Sequence, residues 1–164
     1  MKRTTLQTGM PAPPFRATDA VSGTEYALEE LRGTPVVLYV YPKDATPGCT
    51  AQACAFRDVY AELREAGATL LGVSMDPAES RRRFAEAHAL PFPLLLDPNG
   101  EIVDAYGAWQ PWAFTRSGLM VRRMTVLVDA AGTIRRIWPK AHPTRNPAEV
   151  LAAVRDLATD TTTE

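Results

Sequence analysis

The stretch PVVLYVYPKDATPGCTAQAC, residues 35–54, decides the fold. It begins with an unbroken run of aliphatic and aromatic residues, Pro35 to Tyr41, which is typical of a strand buried on both faces in a parallel sheet. A Thr-Pro-Gly turn at residues 46–48 follows, and behind it apolar residues recur at helical spacing. The stretch therefore predicts a central strand followed by a helix, and it contains both cysteines of the chain, Cys49 and Cys54.

Strand signals recur on both sides of this stretch. A short hairpin is expected in residues 14–28, with a Ser-Gly turn at residues 22–23, followed by a helical turn that Gly33 ends. Later strands are predicted at ATLLGVS (68–74), at FPLLLD (92–97), and as a pair within RRMTVLVDAAGTIRRIW (122–138). The last two strands are joined by a turn near residues 130–132.

Helices are predicted between these strands. The helix behind the Thr-Pro-Gly turn is expected to end at Gly67, and a second helix to run from Asp76-Pro77 to about His88, with the Asp76 side chain capping its free N–H groups. A short helix is expected around residues 102–106, and a last one from residue 146 onward. This alternation predicts an α/β chain with a thioredoxin-like fold, in which helices flank a central mixed β-sheet on both faces.

Length and composition set limits on domain organisation and function. A chain of 164 residues with 46% hydrophobic residues fits one globular domain, which we expect at 1–158, before a disordered polar tail at 159–164. Its 18 basic and 19 acidic residues leave a net charge of -1, so no broad field attracts nucleic acid or anionic lipid. No segment approaches the roughly 18 apolar residues of a membrane span. We expect a cytoplasmic protein that binds neither nucleic acid nor membrane.

The two thiols need a chemical explanation, because two cysteines in a domain of this size form no secreted disulfide framework. Inert buried thiols are the alternative. Cys49 falls in the first turn of the predicted helix, where unpaired N–H groups and the helix dipole favour a thiolate, the reactive form. The hydroxyl of Thr46 can donate to the sulfur, and Gly48 permits close approach of a small ligand. Cys49 is therefore a candidate nucleophile.

The spacing of the two cysteines disfavours a structural disulfide. On a helix Cys49 points toward the apolar stripe, whereas Cys54 points about 170° away from it. Five residues of helix also rise about 7.5 Å, beyond the roughly 7 Å limit between the Cα atoms of a disulfide. A bond between them therefore requires the first helical turns to unwind. A zinc site with His88 and His142 departs from the usual ligand spacings, so we expect no metal.

The segment YPKDATPGCTAQACAFRD, residues 41–58, resembles the peroxiredoxins, in particular the bacterioferritin-comigratory or Q-type atypical two-Cys subfamily. The family's Pro-x-x-x-Thr-x-x-Cys pattern is met by Pro42, Thr46 and Cys49, and the subfamily's C-x4-C spacing by Cys54. Arg123 stands where the family's active-site arginine precedes a Thr-x-Leu-Val-Asp strand. Arg122 is the competing choice, and on a strand the two side chains point to opposite faces. The resemblance extends over most of the chain.

The resemblance implies a thiol-dependent peroxidase that needs no cofactor. In this reading the Cys49 thiolate attacks hydrogen peroxide or an alkyl hydroperoxide and becomes a sulfenic acid. Cys54 then condenses with it into an intramolecular disulfide, which thioredoxin or a similar dithiol reduces. The resemblance further implies a monomer, with a dimer as the alternative.

The remaining roles follow from the charge that moves from sulfur to the leaving oxygen. The N–H groups of Gly48 and Cys49, the Thr46 hydroxyl and the Arg123 guanidinium are expected to bind the substrate and stabilise that charge. Pro42 is expected to shape and shield the pocket. His88 and His142 receive no catalytic role, because a peroxide needs no general base once the thiolate exists.

Several features depart from the family pattern or lie outside it. Ala45 stands where many relatives have an acid, and residues 110–120 do not match the usual sequence, so the resemblance does not fix substrate preference or the pocket rim. Aromatic residues near that segment are expected either as an apolar wall for organic hydroperoxides or an oligomer contact, or as buried loop packing. The basic run at 81–83 is expected as a solvated helix face. The aromatic residues near the unmatched segment are Trp109, Trp112 and Phe114.

Two other functions compete with a peroxidase. A thiol-disulfide oxidoreductase shares the fold but normally uses C-x-x-C, so the C-x4-C spacing argues against it. A redox sensor, in which oxidation of Cys49 exposes a new surface, belongs to a different class. All three predict a reactive thiol, and only the peroxidase predicts rapid turnover of peroxide with a dithiol reductant.

Overall fold

A computed structural model describes residues 5–115 and 118–161, with the backbone alone at 110–115, 118–120, 160 and 161. Nine strands, four α-helices and one 3₁₀ turn form within these ranges. In chain order they are β1 (Arg16–Thr18), β2 (Glu25–Ala27), the 3₁₀ turn (Leu28–Leu31), β3 (Val36–Val40), α1 (Pro47–Glu65), β4 (Thr69–Ser74), α2 (Ala78–Ala87), β5 (Leu94–Leu96), α3 (Glu101–Ala105), β6 (Trp109–Thr115), β7 (Gly118–Val121), β8 (Met124–Val128), β9 (Ile134–Trp138) and α4 (Asn146–Thr161).

The central sheet has five strands in the order β5-β4-β3-β8-β9. β3 is parallel to β4 and β4 is parallel to β5, whereas β8 runs antiparallel to both β3 and β9. The sheet is therefore mixed, with β3 at its centre, as the buried run in the sequence predicts. Of the helices that the structure describes, none is long and apolar enough to span a membrane.

The side chains of β3 divide the core into two layers. Val37 and Tyr39 pack in one hydrophobic cluster with α1, α2 and α4. Val36 and Leu38 face the opposite cluster, which contains α3 and the N-terminal hairpin. Every residue of β3 is at most 1% exposed, because successive side chains point to opposite faces and both faces are covered. The predicted sheet with helices on both faces is confirmed.

The predicted start of α2 is wrong in one respect. The residue that caps the helix is Pro77, in extended conformation, and no side chain caps its free N–H groups. The Asp76 carboxylate instead accepts a hydrogen bond from the backbone N–H of Asp44. The carboxylate is thereby directed toward the loop after β3 and not toward the start of α2.

The predicted solvated run at residues 81–83 is also wrong for one of its members. Arg82 and Arg83 are exposed, as expected, but Arg81 is fully buried. Its guanidinium donates to the backbone carbonyl oxygens of Ser74 and Leu95, at the ends of two parallel strands. Those carbonyls need donors once the strands end, and a buried arginine supplies them.

Two segments differ from the sequence prediction in their secondary structure. α4 extends to Thr161, so it includes the first residues of the predicted disordered tail, and residues 162–164 lie outside the described ones. Of the unmatched segment at 110–120, residues 110–115 lie in β6 and residues 118–120 in β7, an antiparallel pair that the sequence did not predict. Trp109 packs against Gly100 and the core, whereas the side chains of Trp112 and Phe114 lie outside the described ones.

Ala89, just after α2, has a backbone conformation that is unfavourable for an amino acid with a side chain. Ala89 follows the helix with φ of 49° and, together with Leu90, closes it by bonds to the carbonyls of Glu86 and Ala85. A residue with a Cβ is strained in this left-handed conformation. We expect Ala89→Gly to raise the free energy of unfolding by about 0.5–1 kcal/mol and the melting temperature by about 1–4 °C.

Ala87→Gly is the matched control for this stability measurement. Ala87 is the last residue of α2 and is also exposed. Because glycine in a helix loses more backbone entropy on folding, this change lowers stability by about 0.5–1 kcal/mol. Thermal and urea unfolding of both variants give the comparison, and a lower melting temperature for Ala89→Gly contradicts the prediction.

Candidate active site

The N-terminus of α1 lies directly beyond the carboxyl end of β3. Thr46 precedes the helix in extended conformation, and the first helical bond runs from the N–H of Thr50 to the carbonyl of Thr46 at 2.8 Å. Pro47 has no N–H, so it loses nothing at the first helical position. The N–H groups of Gly48 and Cys49 have no partner within the helix, and their partial positive charge lies beside the Cys49 sulfur.

The Cys49 thiol and the Arg123 guanidinium are brought together from distant parts of the chain. Cys49 is 1% exposed, and its Sγ accepts a hydrogen bond from Nη2 of Arg123 at 3.3 Å. Arg123 lies just before β8 and not on a strand. Arg122 points elsewhere, since its Nε donates to the carbonyl of Gly107 at 3.1 Å. The two arginines therefore diverge as expected, although neither belongs to a strand.

Gly48 makes room for this arginine. A Cβ atom at residue 48 would lie 2.9 Å from Nη2 of Arg123 and 3.8 Å from Cγ of Pro143. Real Cβ atoms do not approach a guanidinium nitrogen so closely, so any larger residue pushes Arg123 away from the sulfur. The glycine that the sequence analysis assigned to ligand approach thus also permits the contact between Arg123 and Cys49.

Thr46 and Pro42 lie in the loop between β3 and α1, residues 42–46, which we call the active-site loop. The Thr46 hydroxyl donates to the backbone carbonyl of Lys43 at 2.8 Å, so its expected bond to the Cys49 sulfur is wrong for this structure. With its proton used inside the loop, the hydroxyl oxygen retains lone pairs that can accept a bond. Pro42 is half-buried directly after Tyr41.

A buried group of polar side chains behind Arg123 was missed by the sequence analysis. Oε1 of Gln52 accepts a bond from Nη1 of Arg123 at 2.7 Å, and its Nε2 donates to Oδ1 of Asn146 at 3.3 Å. The same Asn146 oxygen accepts a bond from the Thr125 hydroxyl at 2.7 Å. Gln52, Asn146 and Thr125 are all fully buried. Gln52 is neutral, so it orients Arg123 without neutralising the charge that faces the sulfur.

A signal for part of this group existed in the sequence. Gln52 lies three residues after Cys49, on the same face of a helix, and a polar residue on an apolar face needs a partner. Asn146 gave no such signal, because an asparagine before proline is already explained as a helix start.

Asp44 holds the active-site loop against the neighbouring elements through buried hydrogen bonds. Burial raises the pKa of its carboxyl group, whereas the hydrogen bond from the Tyr41 hydroxyl at 2.6 Å and the charge of Arg81 act in the opposite direction. Ser80 donates to the same carboxylate at 3.1 Å. Ala45 is exposed and has φ of 61°.

Cys54 lies away from the Cys49 pocket. It is half-buried on α1, whereas Cys49 belongs to the hydrophobic core cluster, and both are free thiols. Their different environments match the opposite directions predicted from helical periodicity. Across residues 5–115 and 118–161, no group of three or more His, Cys, Asp or Glu residues is arranged to hold a metal ion.

Comparison with known proteins identifies a family. The AhpC/TSA family model matches residues 8–137. A putative peroxiredoxin bcp of Coxiella burnetii is 38% identical over 148 residues, which cover 89% of this chain and 97% of the relative. Peroxiredoxin Bcp of Bacillus subtilis is 35% identical over 94% of this chain and 98% of its own length.

Solved structures agree with these sequence relatives. Peroxidoxin BcpB from Mycobacterium tuberculosis superposes with a TM-score of 0.83 at 32% identity, over 93% of this chain and 98% of that one. Peroxiredoxin Q from Xanthomonas campestris gives a TM-score of 0.82 at 30% identity, over 88% and 91% of the two chains. The thioredoxin-like architecture is therefore shared with peroxiredoxins of known structure.

The contact between Arg123 and Cys49 yields a prediction about thiol reactivity. In a Cys54→Ser background, we expect Arg123→Met to lower the rate constant for alkylation of Cys49 by iodoacetamide at neutral pH about tenfold or more. The reason is that a hydrogen bond to a charged partner contributes roughly 1.5–3 kcal/mol, which here stabilises the thiolate. Mass spectrometry of the labelled protein over time measures the rate.

Arg122→Met serves as the control for this reactivity measurement. It removes the same charge from the adjacent residue, whose guanidinium bonds to the carbonyl of Gly107 and not to sulfur. We expect its alkylation rate to stay within about twofold of the parent, because charges away from a site are screened. Equal loss in both variants would show that the contact has no specific effect.

Proposed function

Because this chain belongs to the AhpC/TSA family and is a thiol-dependent peroxidase, we propose that Cys49 is the thiol that reacts with peroxide. The observation that carries the proposal is the buried Cys49 sulfur, held between the N-terminus of α1 and the Arg123 guanidinium at 3.3 Å. Both partners favour the thiolate, and the thiolate is the nucleophile. A buried thiol without such partners is inert.

The first step is an attack of the thiolate on one peroxide oxygen. The S–O bond forms as the O–O bond breaks, and the departing oxygen takes a proton and leaves as water or as an alcohol. Negative charge moves from sulfur to that oxygen, where the N–H groups of Gly48 and Cys49 and the Arg123 guanidinium stabilise it. The Thr46 hydroxyl donates its hydrogen bond to the backbone carbonyl of Lys43, so its oxygen is the atom that accepts a hydrogen bond from the peroxide O–H.

Pro42 and Pro143 complete the pocket in this proposal. Pro42 is half-buried beyond β3, and Cγ of Pro143 lies 3.8 Å from the position of a Cβ atom built on Gly48. Apolar rings at these positions exclude water from the sulfur, which strengthens the hydrogen bonds that the reaction uses. The preferred substrate is hydrogen peroxide or an alkyl hydroperoxide.

The second step joins the two cysteines. The Cys54 thiolate attacks the sulfenic sulfur of Cys49, a disulfide forms and hydroxide leaves as water. Because both cysteines belong to one continuous helix, residues 47–65, the five residues between them rise about 7.5 Å along its axis, which places their Cα atoms beyond the reach of a disulfide. The first turns of α1 therefore unwind before the bond forms.

Recycling needs an external dithiol. Thioredoxin or a similar protein attacks the disulfide, forms a mixed disulfide, and releases reduced Cys49 and Cys54 when its second thiol closes. We further propose that the protein is a monomer in the cytoplasm. The monomer is what the resemblance to the Q-type subfamily implies, and a disulfide within one chain needs no thiol from a second one.

Peroxide consumption with a thioredoxin reductase, thioredoxin and NADPH system tests the assignment. We expect Cys49→Ser to abolish turnover, whereas Cys54→Ser consumes about one equivalent of peroxide and accumulates a sulfenic acid that dimedone labels. The reason is that Cys54 acts only after the first bond to oxygen has formed. Full activity of Cys49→Ser would end this assignment.

Unwinding is tested separately by hydrogen exchange of the oxidised protein. We expect amide exchange across residues 49–56 to accelerate by at least tenfold when the disulfide forms, because the helical bonds of that segment break. Mass mapping of the disulfide in the same sample verifies the pairing. A mapped bond between Cys49 and Cys54 with unchanged protection across these residues would contradict the unwinding step.

A further inference from the structure

We propose that Arg81, which lies outside the peroxide pocket, is a positioning residue that holds the active-site loop in place through Asp44. This role rests on the proposed function of Cys49 as the reacting thiol. Arg81 does not contact the sulfur. It acts through the loop of residues 42–46, which carries Thr46 and leads into the helix start at Cys49.

Arg81 ties the ends of two parallel strands to this loop. Its Nη1 donates to the carbonyl oxygen of Ser74 at 3.0 Å and to that of Leu95. On its other side, Nε lies 3.5 Å from the Asp44 carboxylate, and both side chains are at most 1% exposed. The guanidinium carbon also lies 5.4 Å from the centre of the Tyr41 ring. Strands β4 and β5 are thus joined to the loop by a single side chain.

Asp44 makes three hydrogen bonds to residues outside the active-site loop. Its carboxylate accepts bonds from the Tyr41 hydroxyl at the end of β3 and from the Ser80 hydroxyl in α2. Its backbone N–H donates to the Asp76 carboxylate, just before α2. Asp44 cannot move without breaking these bonds, and it stands two residues before Thr46.

Stability alone does not account for this buried pair. Taking two charges out of water costs about as much as their attraction returns, and hydrophobic residues of similar volume often replace such pairs without loss of stability. The pair is also imperfectly bonded, since neither Nε nor Nη2 of Arg81 has a hydrogen-bond partner among the described residues, and Nε meets Asp44 as an ion pair only. The charged pair instead specifies a single position of the loop, because its contacts form in one geometry only. Apolar side chains at the same places would permit several loop positions.

A second fixed point lies at the far end of the unwinding segment. Phe56 is fully buried, with its ring centre 4.6 Å from that of Tyr39, and the next residue, Arg57, donates to the carbonyl of His88 at 2.7 Å. Unwinding is therefore confined between Asp44 and Phe56. With the loop fixed, Cys49 returns to the same position after each cycle, so Arg81 matters for the attack on peroxide and not for the disulfide step.

Stopped-flow kinetics of Arg81→Met in the full chain separate these two steps. We expect the rate constant for oxidation of Cys49 by hydrogen peroxide to fall at least tenfold, because small misplacements of reacting groups cost that much or more. The rate constant for disulfide formation stays the same or rises. In the reduced protein, amide exchange of residues 43–46 accelerates by at least tenfold. Arg82→Met, on the exposed face of the same helix, changes none of the three.

Tyr41→Phe provides the same test if Arg81→Met does not fold. It keeps the ring beside Arg81 and removes only the 2.6 Å bond to Asp44, so we expect about a threefold loss in the oxidation step alone. Unchanged rate constants and exchange, or equal slowing of both steps, in the variant that folds would overturn the positioning role. A wild-type protein that does not react with peroxide would refute the proposed function, and the exchange measurement would still test the attachment of the loop.

Discussion

The proposed chemistry of Cys49 depends on one requirement, that a sulfur removed from water must be stable as an anion. Cys49 is buried among apolar residues, which by itself disfavours charge. Two positive groups oppose this cost, the N-terminus of α1 and the Arg123 guanidinium. Because burial also excludes competing water, these few contacts act in a medium where they are strong. The remaining features of the site serve to keep these partners at the sulfur.

The sheet supplies the long-range part of this arrangement. In the antiparallel pairing of β3 with β8, Val40 lies opposite Met124, so Arg123 lies level with the start of the active-site loop. Gly48 leaves space for the guanidinium, and Gln52 orients it through a bond of 2.7 Å. A shift of the register would move Arg123 away from Cys49 while leaving the hydrophobic core of the sheet largely unchanged.

The two ends of the active-site segment differ in how firmly they are held. The loop before α1 is attached through Asp44 to Tyr41, Asp76 and Ser80, and Phe56 packs deep in the core. Between them, the first turns of α1 carry both cysteines. In the proposed mechanism, this distribution of fixed and releasable contacts allows one helix to serve two successive steps, a preorganised attack followed by a local rearrangement. Local opening at low cost is common where function requires movement.

The sequence by itself determined the features that depend on neighbouring residues. The buried strand, the helix start at the Thr-Pro-Gly turn and the unlike environments of Cys49 and Cys54 follow from short-range periodicity and turn chemistry. The structure has the strand and the helix start, and it buries Cys49 but only half-buries Cys54. Only the tertiary structure decided the burial of Arg81, the bonds joining Gln52 to Asn146 and the donation of Thr46 to Lys43. Helical spacing places Arg81 on the same face as the buried Phe84, unlike its two exposed neighbours, but it does not reveal which acceptors compensate the burial of its charge. Which donor meets which acceptor depends on how distant elements pack and pair, and periodicity along one segment carries no information about that.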